Sequence, residues 1–265
     1  MKPNLKYQLL AALGLLAILL ISPVYLPDPY MQDLNNSLIA PNMMHFGGTD
    51  RYGRDVLARV IAGAKVTVIS AFFLLLLLTI VGTFLGLLAG FKGGRLDTVI
   101  MRLTDIFLAF PEMVLAIAVA GVLGGGIYAA MLAVGIIGWT RYARLARSLV
   151  IAVKNEPYIA EAKMSGTNTF KIIQEHILPN IAGPVLVTAA LHSGTLIMEL
   201  AGLSFLGLGV MPPAAELGAM LNDGRSVLQQ APWLTLAPGM AIFIIVAMTN
   251  STADAMRDYF DKRSS

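Results

Sequence analysis

Six long apolar stretches alternate with polar and basic segments along this chain, over about Tyr7–Leu26, Val66–Phe91, Leu103–Leu123, Ile127–Trp139, Ile181–Leu208 and Trp233–Met256. About 20 apolar residues in helical form cross a hydrocarbon core roughly 30 Å thick. Helix is the form expected, because no water is present there to satisfy a free backbone amide or carbonyl. Each stretch meets or approaches that length, the fourth by running on into a basic segment. The pattern therefore predicts an all-α polytopic membrane protein of about six transmembrane helices. Lys2 and Lys6 precede the first stretch, as they would in a signal peptide. That stretch is longer than a signal core, and Ser22-Pro23-Val24-Tyr25-Leu26-Pro27 follows it in place of a small-residue cleavage site, so it reads as a retained helix.

Basic residues orient the spans. With six spans and the N-terminus inside, fourteen of the nineteen Lys and Arg fall on the cytoplasmic side. Only Arg51, Arg54, Arg59, Lys65 and Arg225 fall outside. Cytoplasmic loops carry the excess of Lys and Arg, so both termini are expected in the cytoplasm. The chain then divides into an N-terminal end with the first helix (residues 1–26), an external segment (27–65), a core of five helices (66–256) and a cytoplasmic tail (257–265). The core holds a cytoplasmic loop at about 151–180. Loops of this length inside a compact domain usually carry function.

Composition agrees and narrows the classes. Apolar residues make up 57% of the 265 and charged residues 13%, with a mean hydropathy of +0.72. Soluble domains run nearer about 45–50% and about 25%. The sequence pI of 9.2 reflects a net charge of only +3, scattered between apolar runs, which offers no nucleic-acid groove. Cysteine is absent, excluding disulfides and thiolate metal sites. No G-x-x-x-x-G-K-[S/T] phosphate loop is present, so any ATP must be hydrolysed by another chain. No H-E-x-x-H, nucleophile elbow or paired-carboxylate arrangement is visible, which argues against a membrane enzyme. His45, His176 and His192 fall in three compartments of the topology and form no joint metal site. The halves of the chain show no mutual similarity, as the inverted repeats of a self-sufficient secondary transporter would require.

The cytoplasmic loop has its own pattern. Arg141, Arg144 and Arg147 recur every third residue and share one helix face. Pro157 suits a first helical turn. A short helix then covers Ala160, Glu161, Ala162, Lys163 and Met164, and Gly166 supplies the positive φ that ends it. Thr167 or Asn168 can cap a second helix, which is expected to end near Pro179. Two short helices at an angle predict a compact cytoplasmic knob.

Three polar groups of positions stand out elsewhere. His192 and Glu199 lie seven residues, or two turns, apart on one face of the fifth stretch, with Met198 adjacent. An ionisable group in a span is costly unless paired or wet. Either these residues line a translocation path and touch a cation or a charged peptide end, or Glu199 pairs with an arginine near a membrane face while His192 bonds a neighbouring carbonyl. Outside, Thr49, Asp50, Gly53, Arg54 and Asp55 interleave charge with glycine, which favours a tight, internally bonded turn; the alternative is a contact surface. Gly202, Gly207 and Gly209 permit close helix approach or a gate-lining bend.

Ala160-Glu161-Ala162, Gly166 and Ile177-Leu178-Pro179 resemble the "EAA" loop of binding-protein-dependent ABC importer permeases, with the glutamate one place later than usual. Four further segments, in order, resemble the second permease of the dipeptide/oligopeptide/nickel branch. They are His45 to Arg59, Gly93 to Pro111, Leu203 to Pro213, and Asn250 to Asp261, the last with Thr252-Ala253 where that branch has glycine. The resemblance implies a type I ABC importer permease fold in the plasma or inner membrane of a prokaryote. It implies a loop that couples to ATPases through Ala160, Glu161, Ala162, Gly166 and Pro179. Its partners would be a second homologous permease, two ATP-binding subunits, an extracytoplasmic substrate-binding protein and membrane lipid, with no nucleic acid. No cofactor is expected on this chain, ATP and Mg being used by the partner ATPases. Pro213 to Asp223 looks more like the nickel-type permeases, with small peptides as the alternative cargo, and no metal ligand is assigned.

Overall fold

The structure is a computed structural model that describes residues 26–261, together with Gly14; the first apolar stretch up to Tyr25 lies outside the described residues. The helices are α1 (Val56–Lys92), α2 (Gly94–Leu108), α3 (Glu112–Val122), α4 (Ile127–Lys154), α5 (Pro157–Met164), α6 (Thr169–Ile172), α7 (Leu178–Phe205), α8 (Leu217–Arg225) and α9 (Trp233–Asp261). The second, fourth, fifth and sixth apolar stretches become α1, α4, α7 and α9. α1 begins at Val56 rather than Val66, because the Asp55 carboxylate accepts the Ala58 N–H at 2.9 Å and caps the helix there. The helix thus takes in residues read from the sequence as external segment.

The third stretch is not one straight span. It breaks at Ala109–Pro111 into α2 and α3, which meet at 88°. Pro111 brings no N–H and its ring drives the residue before it away from helical backbone; Pro111 itself has ψ 124°. The break puts Glu112 at the corner as the first residue of α3.

α1 and α4 approach backbone to backbone. Gly82, Gly86 and Gly90 recur every fourth residue, and a Cβ on each would stand 2.4, 2.3 and 2.9 Å from the carbonyl oxygens of Trp139, Ala143 and Arg147. Between helices in lipid, close packing of small residues supplies the attraction that hydrophobic burial supplies in water. The seam fixes which way α4 turns its other faces. Arg147 grips both oxygens of Asp97 on α2, Nη2 to Oδ2 at 2.6 Å, and Arg144 pairs with Asp105 while its Nε donates to Thr104 Oγ1 at 3.1 Å. Two of the three arginines predicted on one face therefore pin α2 to α4.

The knob is built from α5. Gly166 has φ +76°, its N–H donates to Lys163 O, and the Thr167 N–H donates to Ala162 O, both at 3.0 Å, which is the paired closure of a Schellman turn. Asn168 caps α6, its Oδ1 accepting the Phe170 N–H at 3.2 Å. The second helix does not end near Pro179, as the sequence led us to expect. α6 passes through a π-helical turn, Ile173–Ile177, straight into α7, so that Thr169–Phe205 is one continuous span. In a regular helix the proline ring would meet the carbonyl four residues back; the wider turn just before Pro179 moves that carbonyl aside. The knob is thus one short helix leaning on the base of a long one. Ile159, fully buried, joins it to Ile172, Ile177, Ile181, Leu87 and Val150 in a second apolar cluster.

Residues 26–55 cover the opposite end of the bundle. Thr49 Oγ1 donates to Asn36 O and accepts from the Ile39 N–H at 2.8 Å, while its carbonyl accepts from Trp233 Nε1 on α9. Asp50 accepts from the backbone N–H groups of Tyr52 and Arg54 and from Arg54 Nε at 2.6 Å. Gly53 has φ +70°, with Asp33 O only 1.7 Å from where a Cβ would sit.

The α1–α4 seam yields a direct test. Gly86→Ala forces the backbones apart and is expected to destabilise the protein by roughly 1–3 kcal/mol, read as a lower melting temperature in detergent. Gly121→Ala, on α3 with nothing within 4 Å of the added carbon, is expected to leave it unchanged. Equal melting temperatures for the two variants would contradict the seam.

Candidate functional site

Near the middle of α7, His192 is 1% exposed. Its Nδ1 lies 3.0 Å from the hydroxyl of Tyr142 on α4, a side chain that is itself fully buried. Nε2, on the other side of the ring, makes no hydrogen bond among the described residues. Glu199, two turns further along α7, has one carboxylate oxygen buried and equally without a partner. The 88° corner between α2 and α3 brings Glu112 to the same place. One ligating atom from each of Glu112, His192 and Glu199 falls within 4.8 Å of the others. Neither glutamate is in an ion pair among the described residues.

Two like charges about 4 Å apart repel by about 4 kcal/mol even at an effective dielectric of about 20. Buried polar atoms also ordinarily find partners. A carboxylate pair facing an imidazole nitrogen, with two of the three groups short of hydrogen bonds, is therefore suited to hold a cation between them. Further out on the same helix, Ser204 has a buried, unpartnered hydroxyl and lines a cavity of about 320 Å³ with Arg54, Arg59, Asn222 and Asp223.

The residues singled out from sequence separate into three places. His192 and Glu199 come together, but His192 bonds a tyrosine hydroxyl rather than a carbonyl. Met198 is 59% exposed and stands off the cluster. Ala160, Glu161, Ala162 and Gly166 lie on the knob, and Pro179 at the base of α7. Thr49, Asp50, Arg54 and Asp55 are all buried, their hydrogen bonds spent within the chain. The expectation that no carboxylates pair is corrected by Glu112 and Glu199, which the chain separates widely and the α2–α3 bend reunites. The signal available was an acidic residue directly after Pro111 inside an apolar run. Tyr142 was hidden in the basic stretch. Glu216, 1% exposed, was read only as part of a cargo-type segment. Its carboxylate accepts from Thr67 Oγ1 and from the Ala219 N–H, each at 2.9 Å, and so caps α8 and ties it to α1.

The model of the family described as "Binding-protein-dependent transport system inner membrane component" matches residues 82–265. The chain is 40% identical over 267 residues to the dipeptide transport system permease protein DppC of Alkalihalophilus pseudofirmus, covering 98% of this chain and 88% of that protein. It is 38% identical over 254 residues to the nickel transport system permease protein NikC of Escherichia coli K12, covering 96% and 91%. Among solved structures it superposes on a chain of the inward-facing MetNI methionine ABC transporter with a TM-score of 0.61 at 17% identity, covering 77% of this chain and 97% of that one. The fold is the type I permease fold.

The hydrogen bond from Tyr142 is testable on stability alone. Tyr142→Phe leaves a buried imidazole nitrogen unpaired, which is expected to cost about 1–3 kcal/mol and to lower the melting temperature in detergent. Tyr128→Phe, at a side chain 80% exposed, serves as the comparison. No difference between them would show that the His192–Tyr142 contact carries no energy.

Proposed function

The chain belongs to the family of binding-protein-dependent transport system inner membrane components, and we propose that it forms half of the pore that carries nickel, or a nickel chelate, into a prokaryotic cell. A permease of this family works with ATPase and substrate-binding partners and breaks no bond itself. The finer assembly is a second homologous permease completing the pore, two ATP-binding subunits on the cytoplasmic face, a binding protein at the outer mouth, and the plasma or inner membrane around it. The observation that carries this reading is the convergence of Glu112, His192 and Glu199 on one space between the apolar helices, with His192 and Glu199 short of partners. A chain that only anchored others would have no reason to keep that arrangement.

The cargo is argued from the same groups. A nickel permease is among the relatives, and an imidazole with two carboxylates suits a borderline divalent cation such as nickel. Small peptides are the second reading, supported by the dipeptide permease relatives and by the capacity of the two carboxylates to receive a peptide ammonium.

The drive is argued from the knob. Tyr158 and Met164 on α5 and Phe170 on α6 are 40%, 82% and 71% exposed, and exposed apolar side chains of this kind are available for protein contacts. Ile159 fastens the knob to the ends of α1 and α4. From Gly166 onward the chain runs through α6 and the π turn into α7, which holds His192 and Glu199. A displacement of the knob by an ATPase therefore reaches the cluster along one unbroken helix. Substituting Met164→Glu, which puts charge on the knob, is expected to weaken co-purification of the ATPases about tenfold, equivalent to about 1.4 kcal/mol. Gly166→Val, which opposes the positive φ, is expected to do the same. Undiminished ATPase recovery with both variants, or uptake by this chain purified alone, would defeat the proposal.

A further inference from the structure

We propose that Glu112, His192 and Glu199 form a coordination site for one divalent first-row transition-metal ion, a halting point for cargo inside the pathway rather than a place for a resident cofactor. The inference rests on the pathway reading above and adds to it the atoms that would hold the ion.

The ligand set is the first argument. Oxygen-only cages suit calcium and magnesium, whereas an imidazole nitrogen beside two carboxylates suits nickel, iron, manganese or zinc. Ligand atoms around one such ion, each at about 2.0–2.2 Å from it, stand roughly 3–4 Å apart. The three atoms here are within 4.8 Å of one another, so small side-chain rotations bring them onto a common centre.

The second argument is the state of the imidazole. His192 is 1% exposed, with Nε2 buried and unpartnered. Its Nδ1 is engaged by Tyr142. In the ligating tautomer Nδ1–H donates to the tyrosine oxygen, which leaves the Nε2 lone pair free for the ion. Such partners fix ring orientation and tautomer at metal sites, and removing them typically weakens metal binding about 10–100-fold. The buried, unpartnered oxygen of Glu199 gains a partner at the same moment.

The third argument is how the ligands are mounted. His192 and Glu199 sit two turns apart on one helix and keep a fixed spacing. Glu112 sits at the corner where α3 leaves α2. A movement of α3 against α7 therefore adds or withdraws one ligand of three. Three protein ligands also leave coordination positions open for water or a chelator. Conduction requires binding weak enough to permit departure, and each of these features weakens the hold.

The test uses the assembled complex, this chain with its partner permease and ATPases, stripped with chelator in lipid nanodiscs and titrated with nickel chloride alone. Equilibrium dialysis with metal analysis is expected to give one saturable Ni²⁺ per copy of this chain. X-ray absorption is expected to show nitrogen and oxygen neighbours at about 2.1 Å. His192→Ala, Glu199→Gln and Glu112→Gln are each expected to weaken binding at least tenfold, and Tyr142→Phe about tenfold with the nitrogen neighbour retained. Co-purified ATPase identifies variants that have assembled, and the near-isosteric Glu→Gln changes keep the test valid if His192→Ala does not assemble. No saturable nickel, or saturable nickel indifferent to Glu199→Gln and His192→Ala, overturns the site. Uptake of nickel and of a dipeptide, measured separately, distinguishes the two levels. Dipeptide uptake lost in the variants, with no nickel bound by the parent complex, removes the metal site and leaves the pathway standing. Uptake of both cargoes unchanged in the His192→Ala, Glu199→Gln double variant removes the pathway, and the site with it.

Discussion

Where α1 meets α4 there is no room for side chains on one partner, and the placement of nearly everything else follows from that contact. Gly82 lies so near α4 that a methyl group there would come within 2.6 Å of the Cβ of Tyr142. With the seam closed, Tyr142 has to turn inward, where its hydroxyl meets His192 on α7. The adjacent Arg144 and Arg147 turn the other way and hold α2 by Asp105 and Asp97. α2 fixed in that position, with Pro111 ending its run, aims α3 so that Glu112 arrives opposite Glu199. The cluster on α7 is thus assembled by a packing rule acting two helices away. Small residues spaced by four allow the backbone approach, and the charged groups follow from the rotation it enforces.

Legibility in the sequence tracked how local each cause is. The helices could be read because an apolar run of sufficient length is sufficient in itself. The end of α5 could be read because a positive φ at Gly166 is a one-residue requirement. The bend was missed because Phe110-Pro111 looked like the edge of a motif rather than a break in a span. Pro179 misleads in the opposite direction, because the π turn before it carries the helix on past the proline. The pairing of Glu112 with Glu199 depends on the α2–α3 angle, on the seam and on the arginine pins together, so no window along the chain contains it. Glu216 divides the same way: its cap on the Ala219 N–H is local, whereas its tie to Thr67 on α1 spans 149 residues and lies in no window along the chain. Gly82, Gly86 and Gly90 stand four apart inside an apolar run, and only the structure shows that they face α4.

The two ends of the molecule use charge differently. In residues 26–55, Asp50, Arg54, Asp55 and Thr49 are buried yet hydrogen-bonded within the chain, which makes this segment a brace across α1 and α9. Inside the bundle, His192 and Glu199 are left short of partners. The bonded charges keep the shape of that segment, and the unpartnered groups within the bundle are what the proposed site draws on.

Thr169–Phe205 contains a turn with a spare residue in its hydrogen-bond ladder, just before the proline at its base. Each residue of a regular helix accounts for about 100° of rotation. Drawing that spare residue into the regular ladder, or letting it out again, would swing everything beyond it about the helix axis without bending the rod. His192 and Glu199 share one side of that rod and would sweep together, toward Glu112 or away from it. If the knob is where the ATPases act, as proposed, rotation is the form in which their work would arrive at the middle of the bundle.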